Sequence, residues 1–184
     1  MPSKRELVLD AAIELLGTKG SRGLTHRGVD ELAGVPLGTT SNYFRTRDGL
    51  IDGVTTRLVE RDESEWAAIA AVPAPTTVEQ LIDALVAYAL HSAGPDRTRS
   101  AARYALALEA VASDAVRASM LRARGELLEW GFGLLRNLPG ATEGTVAILM
   151  DYLDGVVLHQ VSTPVQPFDP RPRLETLTIS LLGQ

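Results

Sequence analysis

The side chains best suited to specific chemistry lie between residues 36 and 44. This stretch is short and polar, and its hydroxyl and amide residues are Thr39, Thr40, Ser41 and Asn42. A helix built only for a protein core would carry more leucine and isoleucine. Short hydrogen-bonding side chains suit a helix that enters the DNA major groove, about 12 Å wide, and reads base edges. From the residues alone, the alternative is a polar helix that faces solvent.

The residues before this stretch predict the elements that would position it. Thr25 is a good N-cap for a short helix, and Gly34 suits the sharp turn after it because glycine tolerates a positive φ. We expect Val35 to fill the angle between the two helices and Phe44 to anchor the end of the second one. The pattern predicts a helix-turn-helix.

Apolar residues elsewhere recur mostly at helical spacing, as in Leu9, Ala12, Ile13 and Leu16. We predict an all-α fold of about nine helices, with a helix-turn-helix domain over residues 1–47 and a helical regulatory domain over residues 48–184. Residues 48–71 form one long predicted helix. Residues 97–137 are compatible with two helices or with one kinked helix.

Charge is uneven along the chain. Residues 1–47 hold seven Lys and Arg against five acidic residues, whereas the rest holds eleven against eighteen, within a net charge of −5. A basic N-terminal segment followed by an acidic remainder is typical of a DNA-binding module with a separate regulatory domain. On charge alone, however, ordinary chance variation is the better explanation of a net charge of +2.

Several function classes find no support. Cysteine is absent, which excludes disulfides and thiolate sites. The sequence lacks the common nucleophile, phosphate-loop and zinc-protease motifs. The histidines, His26, His91 and His159, are far apart, and Asp151 and Asp154 do not match a compact metal site. We therefore expect no enzyme, metal or cofactor. No apolar run is long enough for a membrane span, and we expect a cytoplasmic protein.

Residues 4–60 carry a pattern that resembles the TetR family of bacterial transcriptional regulators. Its elements are the first amphipathic helix, Gly20, Gly23-Leu24-Thr25, Arg27, Val29, Ala33-Gly34-Val35, Gly38-Thr39, Tyr43-Phe44, Arg47 and Leu50. The segment from Gly38 to Arg47 is similar to a variant common in actinobacterial members. The resemblance implies that the chain regulates transcription by binding DNA.

The resemblance also implies roles for individual residues in that segment. Those expected to face base edges are Leu37, Gly38, Thr39, Thr40 and Asn42. Those expected to hold phosphates are Thr25, Arg27, Tyr43 and Arg47. Phosphate contacts fix the register on DNA, whereas base contacts read its sequence.

We further expect a homodimer that binds a palindromic operator and is released by a small-molecule effector, most simply as a repressor. The predicted dimer interface consists of Val146, Leu149, Met150, Leu153, Val157, Leu174, Leu177 and Leu181. The predicted effector pocket consists of Trp66, Tyr88, His91, Arg103, Tyr104, Leu108, Met120, Trp130, Phe132 and Tyr152. The alternative is a helical protein-interaction adaptor that does not bind specific DNA.

Three residues depart from the family pattern. Asp30 replaces a small apolar residue, Pro36 replaces a serine cap, and Ser41 replaces an aromatic residue. A half-buried carboxylate is costly unless it is paired. We therefore expect Asp30 to accept a hydrogen bond from the hydroxyl of Thr40 or Ser41.

Overall fold

The computed structural model describes residues 2–70 and 74–183, and of residues 63–70 it describes the backbone alone. Within these ranges the chain is all-helical, with nine α-helices and no strand, which confirms the predicted fold class. The helices are α1 (Lys4–Gly23), α2 (His26–Ala33), α3 (Thr39–Tyr43), α4 (Arg47–Ala70), α5 (Val78–Ala93), α6 (Arg97–Ala112), α7 (Asp114–Leu135), α8 (Glu143–Ser162) and α9 (Arg171–Leu182). No helix in the described part of the chain is both long and apolar enough to cross a membrane.

Two glycines of the first helix have different effects on the backbone. Gly17 lies inside α1, and a Cβ atom added there would lie 2.0 Å from the carbonyl oxygen of Thr98. Gly17 therefore permits the close approach of α6 to α1. The helical geometry is interrupted later, at Gly20, which has a φ of 66°.

Residues 97–137 contain two helices, which settles the alternative that the sequence left open. Only Ser113 separates α6 from α7, and its backbone N–H still donates to the carbonyl of Glu109, at 3.0 Å. The hydroxyl of Ser113 accepts from the N–H of Val116 at 3.4 Å at the start of α7. A serine at this position thus favours a new helix start.

The chain divides into two compact units. The N-terminal unit comprises Met1–Trp66 and Thr98–Ala123, and the C-terminal unit comprises Ala67–Arg97 and Arg124–Gln184. This division differs from the expected boundary at residue 47. Its physical reason is that α6 and the start of α7 supply Leu106 and Val116 to the apolar cluster that also contains Leu9 and Leu50.

The C-terminal unit is built from α5, α8 and α9 together with the second half of α7. Its core corrects the predicted dimer interface. The buried members of that set are Val146, Leu149, Leu153, Val157 and Leu174. The half-buried members pack against the same core, and they are Met150, Leu177 and Leu181. The five buried side chains close the core of a single chain and cannot meet a partner, whereas an interface role for the three half-buried ones remains a prediction.

The outward sides of α8 and α9 also carry apolar residues. Ile148, Tyr152 and Leu158 of α8 and Ile179 of α9 are between 37% and 49% exposed. Ile148 and Tyr152 are four residues apart and therefore share one helix face. Gly155 follows three residues later, and a Cβ atom added there would meet no atom within 4 Å.

Candidate nucleic-acid interface

The turn between α2 and α3 follows from local residue chemistry. The hydroxyl of Thr25 accepts from the N–H of Gly28 at 3.1 Å and caps α2. Gly34 ends the helix with φ 65° and ψ 32°, a conformation that glycine adopts at little cost. Val35 is half-buried against the core of the N-terminal unit, and Phe44 is buried in it. The predicted helix-turn-helix is therefore present, with each of these residues in its expected place.

The carboxylate of Asp30 holds the start of α3. Its Oδ2 accepts from the N–H of Gly38 at 2.7 Å, and its Oδ1 accepts from both the N–H and the hydroxyl of Thr40, at 2.7 and 2.5 Å. Asp30 is 1% exposed, so these donors replace the water that a buried carboxylate has lost. The expected hydrogen bond is confirmed, and its donor is Thr40 rather than Ser41.

The same contact corrects one predicted base contact. Thr40 is fully buried, and its hydroxyl is committed to Asp30. A side chain in this position cannot reach a base edge. The sequence analysis assigned Thr40 both to Asp30 and to a base edge, and one buried hydroxyl cannot serve both.

The outward surface of the segment consists of other residues. Leu37 is 67% exposed and Tyr43 is 47% exposed, and Gly38, Ser41 and Asn42 are exposed as well. Thr39 is half-buried, and its hydroxyl donates to the carbonyl of Pro36 at 2.5 Å. Apart from Thr40, the residues expected to face bases are therefore accessible. Their contacts with DNA remain predictions.

The sequence analysis missed Ser41 as a surface residue of this site. Ser41 lines an open groove of about 250 Å³, together with His26, Arg27, Asp30, Leu37 and Gly38. Helical spacing could not have found it, because Leu37 lies in the turn before α3 and the helical repeat does not extend back to it. The hydroxyl of Ser41 can both donate and accept a hydrogen bond.

The residues expected to hold phosphates are exposed, but both arginines among them already have protein partners. Arg27 is 79% exposed and donates from Nε to the carboxylate of Glu31 at 2.8 Å. Arg47 donates from Nη2 to the carboxylate of Glu109 and to the carbonyl of Ser21, at 2.9 and 3.1 Å. DNA would have to share or displace these partners.

The environment of Asp30 also determines its charge. Burial raises the pKa of the Asp30 carboxyl, but the hydrogen bonds from Thr40 and Gly38, helped by the nearby His26, lower it by more. The net result is a pKa below the ordinary value, so Asp30 is ionised at neutral pH. A charged carboxylate forms stronger hydrogen bonds than a neutral one.

The residues expected to form an effector pocket are distributed over both units. Arg103, Tyr104, Leu108 and Met120 lie in the N-terminal unit, whereas Tyr88, His91, Trp130, Phe132 and Tyr152 lie in the C-terminal unit. The side chain of Trp66 lies outside the described residues. Leu108 is 75% exposed, which corrects its expected role, because such a side chain belongs to the surface rather than to an enclosed pocket. Tyr152 is exposed as well, on the outward side of α8, and the effector role of the remaining residues stays a prediction.

Residues 76–184 match the family model described as "Tetracyclin repressor-like, C-terminal domain". The multidrug binding protein EbrR, crystallised with ethidium, is 33% identical, with a TM-score of 0.72, over 96% of this chain and 97% of that protein. The chain belongs to the TetR family.

Other relatives agree with this assignment. A TetR-family protein from Streptomyces coelicolor A3 is 33% identical, with a TM-score of 0.74, over 98% of this chain and 99% of that protein. An uncharacterised helix-turn-helix transcriptional regulator from Xanthobacter autotrophicus is 39% identical over 59 residues, which span 32% of this chain but only 29% of that relative. As a TetR-family member, this protein is a DNA-binding transcriptional regulator and not an enzyme.

Proposed function

We propose that this TetR-family regulator binds a palindromic operator as a homodimer, represses transcription and is released by a small-molecule effector. The supporting observation is the surface at α3. Ser41, Asn42 and Tyr43 are exposed on the helix, whose buried side is anchored by Thr40, and Leu37 is exposed in the turn before it. In this proposal residues 1–47 bind DNA in the cytoplasm, and the remainder carries the effector site and the dimer interface.

The proposed dimer interface is the outward face of α8 and α9. Ile148, Tyr152 and Ile179 offer apolar area there, and Gly155 leaves room for a partner helix to approach closely. Two copies related by a twofold axis would place two copies of α3 in successive major grooves. Half-sites about 34–36 Å apart follow from this geometry.

The proposed effector is a planar aromatic cation. The support is the similarity to EbrR, which was crystallised with ethidium, and the presence of half-buried aromatic residues in the C-terminal unit, such as Tyr88 and Trp130. Aromatic faces attract organic cations. A fluorescence titration with ethidium tests this idea. The protein must be free of DNA, because ethidium also binds DNA directly. Saturable enhancement supports the proposal, and a signal no larger than that with serum albumin contradicts it.

The DNA-binding proposal is tested by selecting duplexes from a random pool with the wild-type chain. The affinity for the selected duplex is then compared with that for a scrambled duplex of the same composition, at several salt concentrations. We expect Asn42→Ala to weaken binding to the selected duplex by roughly 5- to 100-fold and to leave scrambled binding unchanged. Asn137→Ala is the matched control, because Asn137 is also exposed but lies between α7 and α8.

A second variant separates phosphate contacts from base contacts. Arg27→Ala should weaken binding to both duplexes alike and reduce the slope of affinity against salt by about one unit. If the wild-type chain binds selected and scrambled duplexes equally, the operator proposal fails. The adaptor without specific DNA binding would then be the better description.

A further inference from the structure

Two side chains of α2 hold the opposite ends of α3. Asp30 accepts hydrogen bonds at the start of α3, and His26 contacts the carbonyl oxygen of Phe44, where α3 ends, at 2.6 Å from Nε2. His26 and Asp30 are four residues apart and therefore project from the same face of α2. We refer to these contacts of His26 and Asp30 as the α2 clamp.

At the start of α3, Asp30 replaces the side-chain N-cap that a helix usually has in its own sequence. The N-cap residue is Gly38, which has a φ of 90° and no side chain to accept a hydrogen bond. The first N–H groups of a helix have no partner within the helix. Asp30 accepts from the N–H of Gly38 and of Thr40, and the hydroxyl of Thr40 adds a third donor. The start of α3 is thus fixed to α2 by three short hydrogen bonds.

At the end of α3, the contact of His26 has a defined direction. A carbonyl oxygen can only accept a hydrogen bond, so Nε2 of His26 carries the proton and donates it. The N–H of Phe44 donates to the carbonyl of Thr40 at 2.8 Å, and the ring of Phe44 is buried in the core of the N-terminal unit. The last turn of α3 is therefore held by one polar and one apolar contact.

The need for such a clamp follows from the length of α3. A helix of five residues has too few internal hydrogen bonds to be stable or rigid by itself. Reading bases demands that Leu37, Ser41 and Asn42 be placed to within about 0.5 Å. We propose that His26 and Asp30 are positioning residues for DNA recognition, which set sequence discrimination by fixing α3 on α2. This inference rests on the proposed operator binding.

The test compares two buried threonines. Thr40→Val removes the hydroxyl that Asp30 accepts but keeps the side-chain volume and the backbone N–H, and Thr40→Ser restores the hydroxyl. Thr55→Val is the matched control, because Thr55 of α4 is 3% exposed in the same unit and its hydroxyl donates within its own helix, to the carbonyl of Ile51 at 2.9 Å. At the other end, His26→Phe removes the donor to Phe44, and His26→Gln retains one.

Binding to the selected and scrambled duplexes is measured for each variant, together with amide hydrogen exchange of α3 in the DNA-free protein. We expect Thr40→Val and His26→Phe to lower the selected-to-scrambled affinity ratio about tenfold and to speed exchange at residues 38–44. We expect the affinity ratio and the exchange rates to stay near the wild-type values in Thr40→Ser, His26→Gln and Thr55→Val.

An unchanged affinity ratio for Thr40→Val would overturn the inference, and so would an equal drop for Thr55→Val, which would indicate a general loss of stability. If the wild-type chain binds the selected and scrambled duplexes equally, the operator proposal fails. The proposed role of His26 and Asp30 in DNA recognition then fails as well. The exchange rates then still report whether the α2 clamp holds α3 in place.

Discussion

Asp30 illustrates how one residue can depart from a family pattern without destabilising the fold. A carboxylate in place of a small apolar side chain is tolerated because both of its oxygens accept hydrogen bonds from α3. Removing a partner from such a group costs more than the hydrogen bond contributed, because a buried charge is left unsatisfied. The residue and its partners therefore act as a unit.

The charge of Asp30 predicts a pH dependence of stability. Its pKa is lowered in the folded chain, so its contribution is present above the ordinary pKa of about 3.9 and is lost as the pH falls through the folded value. We expect the difference in unfolding free energy between wild type and Asp30→Asn to be largest at neutral pH and to shrink below about pH 4. Urea unfolding at pH 7, 5 and 3 measures it, and a difference that does not change with pH would contradict the assignment.

At the scale of elements, ion pairs connect the helices of the N-terminal unit. Arg57 of α4 makes a two-pronged contact with Asp10 of α1, at 3.0 and 3.2 Å, and its side chain is only 18% exposed. Arg47, at the start of α4, contacts Glu109 of α6. The position of α6 therefore bears directly on a side chain that is expected to hold a DNA phosphate.

The contact between Arg47 and Glu109 predicts that removing the charge of Glu109 increases the affinity for DNA. Glu109 competes with phosphate for the guanidinium, so Glu109→Gln should tighten binding to both selected and scrambled duplexes by about two- to fivefold at low salt. Glu126→Gln is the control, because it removes the same charge from an exposed position on α7 in the C-terminal unit. Equal tightening by the two variants would indicate a net-charge effect and exclude the competition.

At the scale of the whole molecule, the dimer proposal depends on which surface remains after each unit has filled its own core. The strongest apolar stripes of α8 and α9 pack into the core of the C-terminal unit. What remains outside is a smaller face that includes Ile148, Tyr152 and Ile179.

Gly155 offers a direct test of that face. Gly155→Arg should leave the single chain folded, because an added side chain meets open space, but it should obstruct a partner helix. We expect wild type to sediment at about twice the chain mass of 19.7 kDa at micromolar concentration, and the variant as a monomer. Gly133→Arg, at an equally open position on α7, should remain a dimer. A wild-type monomer, or a dimeric Gly155→Arg chain, would contradict this interface.

Local chemistry alone determined much of this protein. Helical spacing, the threonine cap at Thr25 and the glycine turn at Gly34 are properties of neighbouring residues, so the helix-turn-helix and the all-α fold could be predicted from them. Even the pairing of Asp30 with a hydroxyl was predictable, since a buried carboxylate needs donors within reach.

Tertiary structure decided which of several equivalent residues do which task. The sequence offered Thr40 and Ser41 as donors to Asp30, and packing selects Thr40. Its side chain is buried against Asp30 and is therefore unavailable to DNA, whereas Ser41 remains exposed. Val146 and Ile148 belong to one apolar helix, and packing buries the first and exposes the second. Periodicity identifies an apolar stripe but not its partner, because burial within one chain and burial between two chains impose the same demand on a side chain.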